Sequence, residues 1–121
     1  MMTIDLCHAD NRRVLPMLAE AGAQFDVCFA DGPYFLSGGG QSCSGGKRSK
    51  VDKGDWDKPR EVAAIAEFTA QWADLVCGLL SDNGTLWSSG THHNFSALCY
   101  GVQSIGYRVL KRSSGSDATF V

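Results

Sequence analysis

Apolar positions along the chain follow two different periods, and this predicts strands and helices in alternation. Short apolar runs predict strands at residues 3–7, 25–30, 85–89 and 107–110. Helical spacing of apolar residues predicts three helices between these runs, ending near Gly22, Ser81 and Gly106. Such alternation is typical of an α/β fold, with a mostly parallel sheet, helices on both faces and right-handed crossovers.

The second apolar run, FDVCFA at 25–30, is the strand that precedes the first candidate site residues. It is rich in β-branched and aromatic residues, which is typical of an inner strand covered on both faces. Ligands of parallel sheets bind beyond the carboxyl ends of the strands. Asp31 to Tyr34 follow this strand directly, so they are the first candidates for a functional site.

Two opposing signals set the start of the first helix. Asp10 or Asn11 can cap it, whereas Pro16 has no N–H group and is unfavourable deep in a helix. The regular part of this helix is therefore predicted to begin near Arg13. Asn94 is expected to cap the third helix in the same way.

Residues 32–59 contain many glycines, serines, lysines and aspartates and show no usable periodicity. They predict a loop, and loops of this length are usually functional or mobile. Because the segment has almost no apolar anchors, it is expected to be mobile. A local basic patch within it is formed by Lys47, Arg48, Lys50 and Lys53. Such a charge run is more often a solvated loop; if it contacts nucleic acid, Lys47, Arg48 and Lys53 are the candidates.

Composition and charge restrict the class of protein. The chain has 121 residues, 44% hydrophobic and 20% charged, which is typical of one soluble domain, and its net charge of −2 excludes a uniformly basic surface. Its five cysteines form no C-x-x-C pair and indicate a reducing, cytoplasmic location. No signal peptide and no apolar run of about 20 residues stands in the sequence, so no membrane contact is predicted. His92 and His93 have no third ligand at metal spacing, so no metal site is predicted.

The sequence Asp-Gly-Pro-Tyr permits a structural and a functional interpretation. Asp-Gly-Pro is a common turn, and a tyrosine at 34 can simply pack on the edge of the sheet. In this context, however, a strand delivers a carboxylate, a backbone carbonyl and an aromatic ring to one point. Two hydrogen-bond acceptors beside a stacking face suit the exocyclic amino group of a planar base.

The segment FADGPYF also resembles the D-P-P-Y-F signature of DNA methyltransferases that methylate amino groups. Further similarity lies in SGGG, in VDKGDWDK, in NGTLWSSGTHH and in IGYRVL, which resemble the subgroup whose catalytic half comes first in the chain. The resemblance covers most of residues 3–110. It implies a partial Rossmann-like methyltransferase fold, S-adenosylmethionine as the methyl donor and double-stranded DNA as the partner.

The resemblance also implies a role for each residue of the signature. Asp31 would accept a hydrogen bond from the target amino group, the carbonyl of Gly32 or Pro33 would accept a second, and Tyr34 would stack on the flipped-out base. The aspartate at the head of the signature favours adenine over cytosine as the target. Asp10 resembles an acidic position near the methyl donor, although a helix cap explains it equally well.

Two departures from the family pattern lead to further expectations. Gly32 stands where the family has its first proline, which loosens the two acceptors relative to each other. No glycine-containing donor loop follows a strand, and residues 111–121 resemble neither the expected strand nor its continuation. The sequence therefore predicts a catalytic half at 1–110 with a truncated or disordered tail at 111–121, in a fragment prone to self-association.

The alternatives differ in class. One is a catalytically inactive fold fragment that at most binds nucleic acid or a partner chain. The other is a methyltransferase acting on RNA or on protein glutamine, which the extended resemblance makes the weaker of the two.

Overall fold

The computed structural model describes residues 2–33, 35, 41–44, 47–50, 61–91, 94–112 and 118–120, with backbone alone at 41–44, 47–50, 111–112 and 118–120. In chain order the elements are α1 (Asn11–Glu20), β1 (Phe25–Ala30), β2 (Gln41–Ser44), β3 (Lys47–Lys50), α2 (Val62–Cys77), β4 (Leu80–Ser89), α3 (Phe95–Ser104), β5 (Lys111–Arg112) and β6 (Ala118–Phe120).

The main sheet has four strands in the order β1-β4-β6-β5. β1 is parallel to β4, with Val27 opposite Thr85 and Ala30 opposite Ser88. β6 is antiparallel to both of its neighbours, and β2 and β3 form a separate antiparallel hairpin. The expected α/β class is therefore confirmed. The expected predominance of parallel pairs is not, because β1 and β4 form the one parallel pair among the described strands.

The bounds predicted for β1 are confirmed, but its predicted inner position is wrong. Within the described residues β1 pairs with β4 alone and so lies at an edge of the sheet. An apolar, β-branched composition indicates that a strand suits a covered environment. It does not indicate which neighbouring strands pair with it.

The helices of the described residues lie on one face of the sheet, so the expectation of helices on both faces is also wrong there. Cys28 and Ala30 of β1 and the fully buried Leu86 of β4 contact the core formed with Trp72, Ala73, Val76 and Val102 from α2 and α3. Side chains on the opposite face are exposed, with exposed fractions of 46% for Phe25, 61% for Val27, 65% for Phe29 and 39% for Trp87. Strand alternation thus puts an apolar face in contact with solvent.

α2 and α3 pack closely because α3 carries a glycine at the crossing point. A Cβ atom added to Gly101 would lie 2.5 Å from the carbonyl oxygen of Ala66 and 2.9 Å from Cβ of Thr69. Thr69 is buried, and its hydroxyl donates to the carbonyl of Ile65 at 2.8 Å. The polar group is thereby satisfied inside its own helix, and the backbones can approach.

α1 begins two residues earlier than Pro16 suggested. Asp10 is its N-cap and accepts from the backbone N–H of Arg12 at 2.9 Å, and the Arg12 guanidinium binds the same carboxylate at 2.6 Å. These hydrogen bonds and the adjacent positive charge lower the pKa of Asp10 to about 2. The hydrogen bonds at the N-cap therefore stabilise the helix start at Asn11 more than the missing N–H group of Pro16 destabilises the helix.

Three further boundaries differ from the sequence prediction. Residues 3–7 form no strand, and the side chains of Ile4 and Leu6 are exposed. α2 ends at Cys77, and β4 already begins at Leu80, so the polar stretch 81–84 belongs to a strand. Residues 107–110 are not a strand, whereas 111–112 and 118–120 are, within the segment expected to be a tail. The division at residue 110 stays a prediction.

The long polar segment is not wholly without regular structure, since β2 and β3 lie within it. Phe35 gives it an apolar anchor that the sequence prediction overlooked, because this side chain is 6% exposed. Residues 34, 36–40, 45–46 and 51–60, on which much of the expected mobility falls, lie outside the described residues. Across the described part of the chain, no helix is long and apolar enough to cross a membrane.

Gly101→Ala should destabilise the protein by about 1–3 kcal/mol, because the new methyl group must displace the backbone of α2. This loss exceeds the gain of about 1 kcal/mol that alanine normally brings to a helix. Gly78→Ala is the matched control, since its Cβ would lie 3.6 Å from the nearest atom and its backbone is right-handed. Urea unfolding of the two variants measures the difference. Equal stability would contradict the close crossing of α2 and α3.

Arg12→Gln should raise the pKa of Asp10 from about 2 towards its ordinary value of 3.8. A lowered pKa in the folded state stabilises the fold above pH 3.8, and this stabilisation is lost as the pH falls through about 2. Carboxyl ¹³C titration by NMR measures the shift. Arg13→Gln is the control, because Arg13 acts on the Asp10 pKa only through its charge. An equal effect of both variants would refute the assignment of the lowered pKa to the Arg12–Asp10 ion pair.

Candidate active site

Asp31 and Ser89 meet at one edge of the sheet because the strands that carry them are parallel. Asp31 follows the last residue of β1, and Ser89 is the last residue of β4. The register places Ala30 opposite Ser88, so the next residue of each strand is also adjacent. The hydroxyl of Ser89 donates to Oδ1 of Asp31 at 2.6 Å, a length typical of a charge-assisted hydrogen bond to a carboxylate.

A cleft of about 710 Å³ opens at this edge and joins the two acidic positions predicted from the sequence. Its walls come from the segment before and into α1, the residues directly after β1, and one side of α2. The lining residues are Ala9, Asp10, Asn11, Arg12, Asp31, Gly32, Pro33, Ala64, Glu67, Phe68 and Gln71. Asp10 and Asp31, which lie 21 positions apart in sequence, thus face one space.

Arg12 determines the charge balance and the hydrogen bonding of the Asp10 carboxylate in the cleft. Nε of Arg12 lies 3.1 Å from Oδ1 and 3.2 Å from Oδ2 of Asp10, and Nη2 lies 2.6 Å from Oδ2. The carboxylate is ionised at neutral pH, since its pKa is well below the ordinary range, but its charge is balanced by the guanidinium. Asp10 therefore caps α1 and lines the cleft, and its position near the methyl donor stays a prediction.

Gly32 has room for a larger residue. A Cβ atom added there would have no neighbour within 4 Å, and its φ does not fall in the left-handed region. Pro33 is half-buried beside it. A glycine is not required by the backbone or by packing here, so the departure from the family signature does not arise from a steric need for glycine.

Phe35 fixes the chain immediately after the signature. Its ring packs edge-on against Phe68, with the ring centroids 5.7 Å apart and the planes at 89°. It also contacts a cluster of Ile65, Ala66 and Ala97. The backbone φ of Phe35 is +57°, an unfavourable conformation for a bulky residue. Burial of the ring against α2 and α3 therefore holds this unfavourable backbone conformation of Phe35 in place.

The remaining predicted site residues either lie outside the described part of the chain or have only their backbone described. Tyr34, the expected stacking residue, and Lys53 lie outside the described residues. Lys47 and Arg48 lie on β3, of which the backbone alone is described. The structure brings Asp31, Gly32, Pro33 and Asp10 together, and the placement of the basic side chains stays a prediction.

Sequence reasoning missed Ser89, Phe35, Glu67 and Gln71. Glu67 and Gln71 are four residues apart on α2, so they lie on the same side of the helix and both reach the cleft. The amphipathic pattern of α2 drew attention to its apolar side instead. For Ser89 the usable signal is positional: it ends a strand parallel to β1, and the ends of parallel strands meet.

This arrangement is suited to binding a hydrogen-bond donor at the sheet edge. The Asp31 carboxylate offers an acceptor to the cleft, and Gly32 and Pro33 line it beside this residue. Asp10 supplies a second, charge-balanced carboxylate. Among the described residues, no group of three or more histidine, cysteine or acidic side chains is arranged to hold a metal ion.

Comparison with known proteins gives one clear relationship. No family model matches the chain. It is 40% identical over 105 residues to the Type II methyltransferases M2.LlaDCHI of Lactococcus lactis subsp. cremoris and M2.DpnII of Streptococcus pneumoniae, which covers 87% of this chain. Type II methyltransferase M2.MboI of Moraxella bovis is 40% identical over 85 residues, or 70% of this chain.

The matched region is only part of each relative. It spans 38% of the length of the first two relatives and 31% of the third. The resemblance predicted from the signature is confirmed at this level: the chain is similar to part of three Type II methyltransferases.

Proposed function

We propose that this chain forms the part of a DNA methyltransferase that holds the target base, and that the complete enzyme methylates the amino group of adenine. The observation that carries the proposal is the position of Asp31, Gly32 and Pro33 at the carboxyl end of β1, facing the same cleft as Asp10. The similarity to Type II methyltransferases supports DNA as the substrate. A DNA substrate also favours a cytoplasmic location.

In this proposal the residues of the turn orient the reacting nitrogen. Asp31 accepts one N–H bond of the target amino group, and the carbonyl of Gly32 or Pro33 accepts the other. Two acceptors fixed at one strand end define the direction of the nitrogen lone pair. Since a base stacked in a duplex cannot reach such a site, it must leave the helix, and Tyr34 is proposed to stack on it.

S-adenosylmethionine would supply the methyl group, as an electrophilic methyl on a sulfonium. The residues present fit this donor in part, because a cleft lined by Asp10, Asp31 and Glu67 suits a cationic group. Asp10 is proposed to accept a hydrogen bond from the donor. Its oxygens are shared with Arg12, so donor binding involves a rearrangement of that ion pair.

DNA contact outside the base pocket is assigned to the basic positions of the long segment. Lys47 and Arg48 lie on the β2–β3 hairpin, and Lys53 follows it in sequence. Cationic side chains on a local patch neutralise backbone phosphates without reading sequence. This agrees with an overall charge of −2, because the contact needs no basic surface elsewhere.

A second candidate function is a binding module without catalysis, which acts by association with a second copy of the chain. The exposed face of β1 and β4 favours it. Phe25, Val27, Phe29 and Trp87 form an apolar surface next to a strand edge that pairs with no other described strand. Such edges and patches promote association.

The first candidate is tested in a fusion of this chain with the part of M2.LlaDCHI outside its matched region. The fusion should transfer tritiated methyl from S-adenosylmethionine to mixed-sequence DNA, and digestion of the DNA should yield N6-methyladenine. Asp31→Ala should lower the rate by about 100-fold or more, since the acceptor that orients the amino group is lost. Gly32→Pro should raise it by restricting the turn.

Asp26→Ala is the matched control for this experiment. Asp26 is an exposed aspartate of the same strand and also accepts a hydrogen bond from a serine of β4, but it lies at the opposite end. Its removal should leave the rate within about twofold of the parent fusion. The chain alone is expected to give no transfer, because the proposal assigns it the base-holding turn and only Asp10 of the donor site. Activity that survives Asp31→Ala would refute the assigned role.

The second candidate predicts concentration-dependent association of the chain, measured by sedimentation velocity. Phe29→Lys should weaken association, because it puts a charge on the exposed apolar face of the sheet. Val62→Lys is the matched control: its side chain is 64% exposed, compared with 65% for Phe29, but lies on α2. A chain that stays monomeric at all concentrations would contradict this candidate, as would equal effects of the two variants.

A further inference from the structure

β1 and β4 are joined by two aspartate–serine hydrogen bonds, one near each end of the parallel pair. Near the amino end, Ser81 donates to Oδ1 of Asp26 at 2.8 Å. At the carboxyl end, Ser89 donates to Oδ1 of Asp31 at 2.6 Å. The chemistry is the same at both ends, but only the second pair borders the 710 Å³ cleft. Loss of the Ser81–Asp26 bond affects only the pairing of the strands, whereas loss of the Ser89–Asp31 bond also affects a carboxylate at the cleft. A comparison of the two pairs therefore distinguishes these two effects.

Ser89 is held by its surroundings. The preceding residue, Ser88, is fully buried. After the strand, the side chain of Asn94, itself 5% exposed, accepts from the backbone N–H of Thr91 at 3.0 Å and from its hydroxyl at 3.3 Å. Gly90 lies against the same side-chain oxygen, since a Cβ there would approach it to 3.2 Å. The turn after β4 is thus tied to the start of α3.

A hydroxyl on such a support can fix the orientation of an exposed carboxylate. Asp31 is exposed and lies beyond the last residue of its strand, so the sheet ladder does not by itself determine its side-chain torsions. A serine hydroxyl has a single proton to donate. Donation to Oδ1 removes rotational freedom of the carboxyl group and gives Oδ2 a defined direction at the edge of the cleft.

We propose that Ser89 is a positioning residue, whose hydroxyl holds the Asp31 carboxylate in the orientation that accepts the amino group of the target base. The inference rests on the proposed function of Asp31 and adds a second strand to the site. Catalysis by positioning depends on small displacements of the reacting groups. Ser89 acts on the base only through Asp31.

The kinetic test uses the active fusion described above and measures kcat and KM separately. Ser89→Ala should lower kcat by about tenfold, the effect of losing one hydrogen bond to a charged group at an exposed site. The KM for S-adenosylmethionine should not change. Ser89→Thr, which retains a hydroxyl, should restore kcat to within about threefold of the parent. Ser81→Ala should behave as the parent, because its aspartate partner lies away from the cleft.

A structural measurement on the chain itself separates failure of this inference from failure of the proposed function. Ser89→Ala should shift the side-chain carboxyl ¹³C signal of Asp31, and Ser81→Ala should shift that of Asp26 but not that of Asp31. Urea midpoints of the two alanine variants should agree. If Asp31→Ala leaves the fusion active, the proposed function fails, whatever Ser89 does.

The positioning role itself is overturned by any of three results. The first is an unchanged Asp31 signal in Ser89→Ala. The second is a kcat for Ser89→Ala equal to that of the parent in a fusion that depends on Asp31. The third is a loss of kcat that Ser81→Ala reproduces or that Ser89→Thr fails to restore, since either would indicate a general effect on the sheet.

Discussion

The parallel pairing of β1 with β4 is the constraint on which the site depends. Two parallel strands in register bring their carboxyl ends to the same edge, and here those ends carry Asp31 and Ser89. The half-buried side chains of Cys28 and Ala30 and the fully buried Leu86 pack the pair against α2 and α3. A shift of register by one residue would turn these side chains to the opposite face and separate the two polar residues.

The helical layer contributes to the site as well as to the core. α2 presents its apolar side to the sheet and to α3, where Gly101 permits close approach. Its other side supplies Glu67 and Gln71 to the cleft, and Phe68 lies between the two environments. Phe35, two residues after Pro33, packs on Phe68. Stability and site geometry are therefore coupled through the same helix.

The opposite face of the sheet has a different character. Phe25, Val27 and Phe29 project from β1 into solvent, although their sequence is typical of a strand covered on both faces. The chain also spans 38% of the length of two of its relatives. In the chain as described, this face of β1 is an apolar surface beside an unpaired edge.

The sequence predicted the parts of the fold that depend on local chemistry. FDVCFA marked β1 to the residue, the 3.6-residue period marked α2, and Asp31 stood out by its place after a strand. The errors concern features that depend on tertiary context. The position of β1 at the sheet edge and the inclusion of 81–84 in β4 depend on which neighbours pair, and the start of α1 depends on the Asp10–Arg12 cap outweighing Pro16. Ser89 went unnoticed because its role depends on the register between two distant segments.

The central claim is that Asp31 accepts a hydrogen bond from the amino group of a base extruded from DNA. The most direct measurement is the distance between the Asp31 carboxylate and N6 of the target adenine, in a crystal structure of the fusion with an adenine-containing duplex. The account predicts an extrahelical adenine with N6 within about 2.7–3.2 Å of a carboxylate oxygen. An extrahelical base bound elsewhere, with Asp31 out of contact with its amino group, would contradict the account.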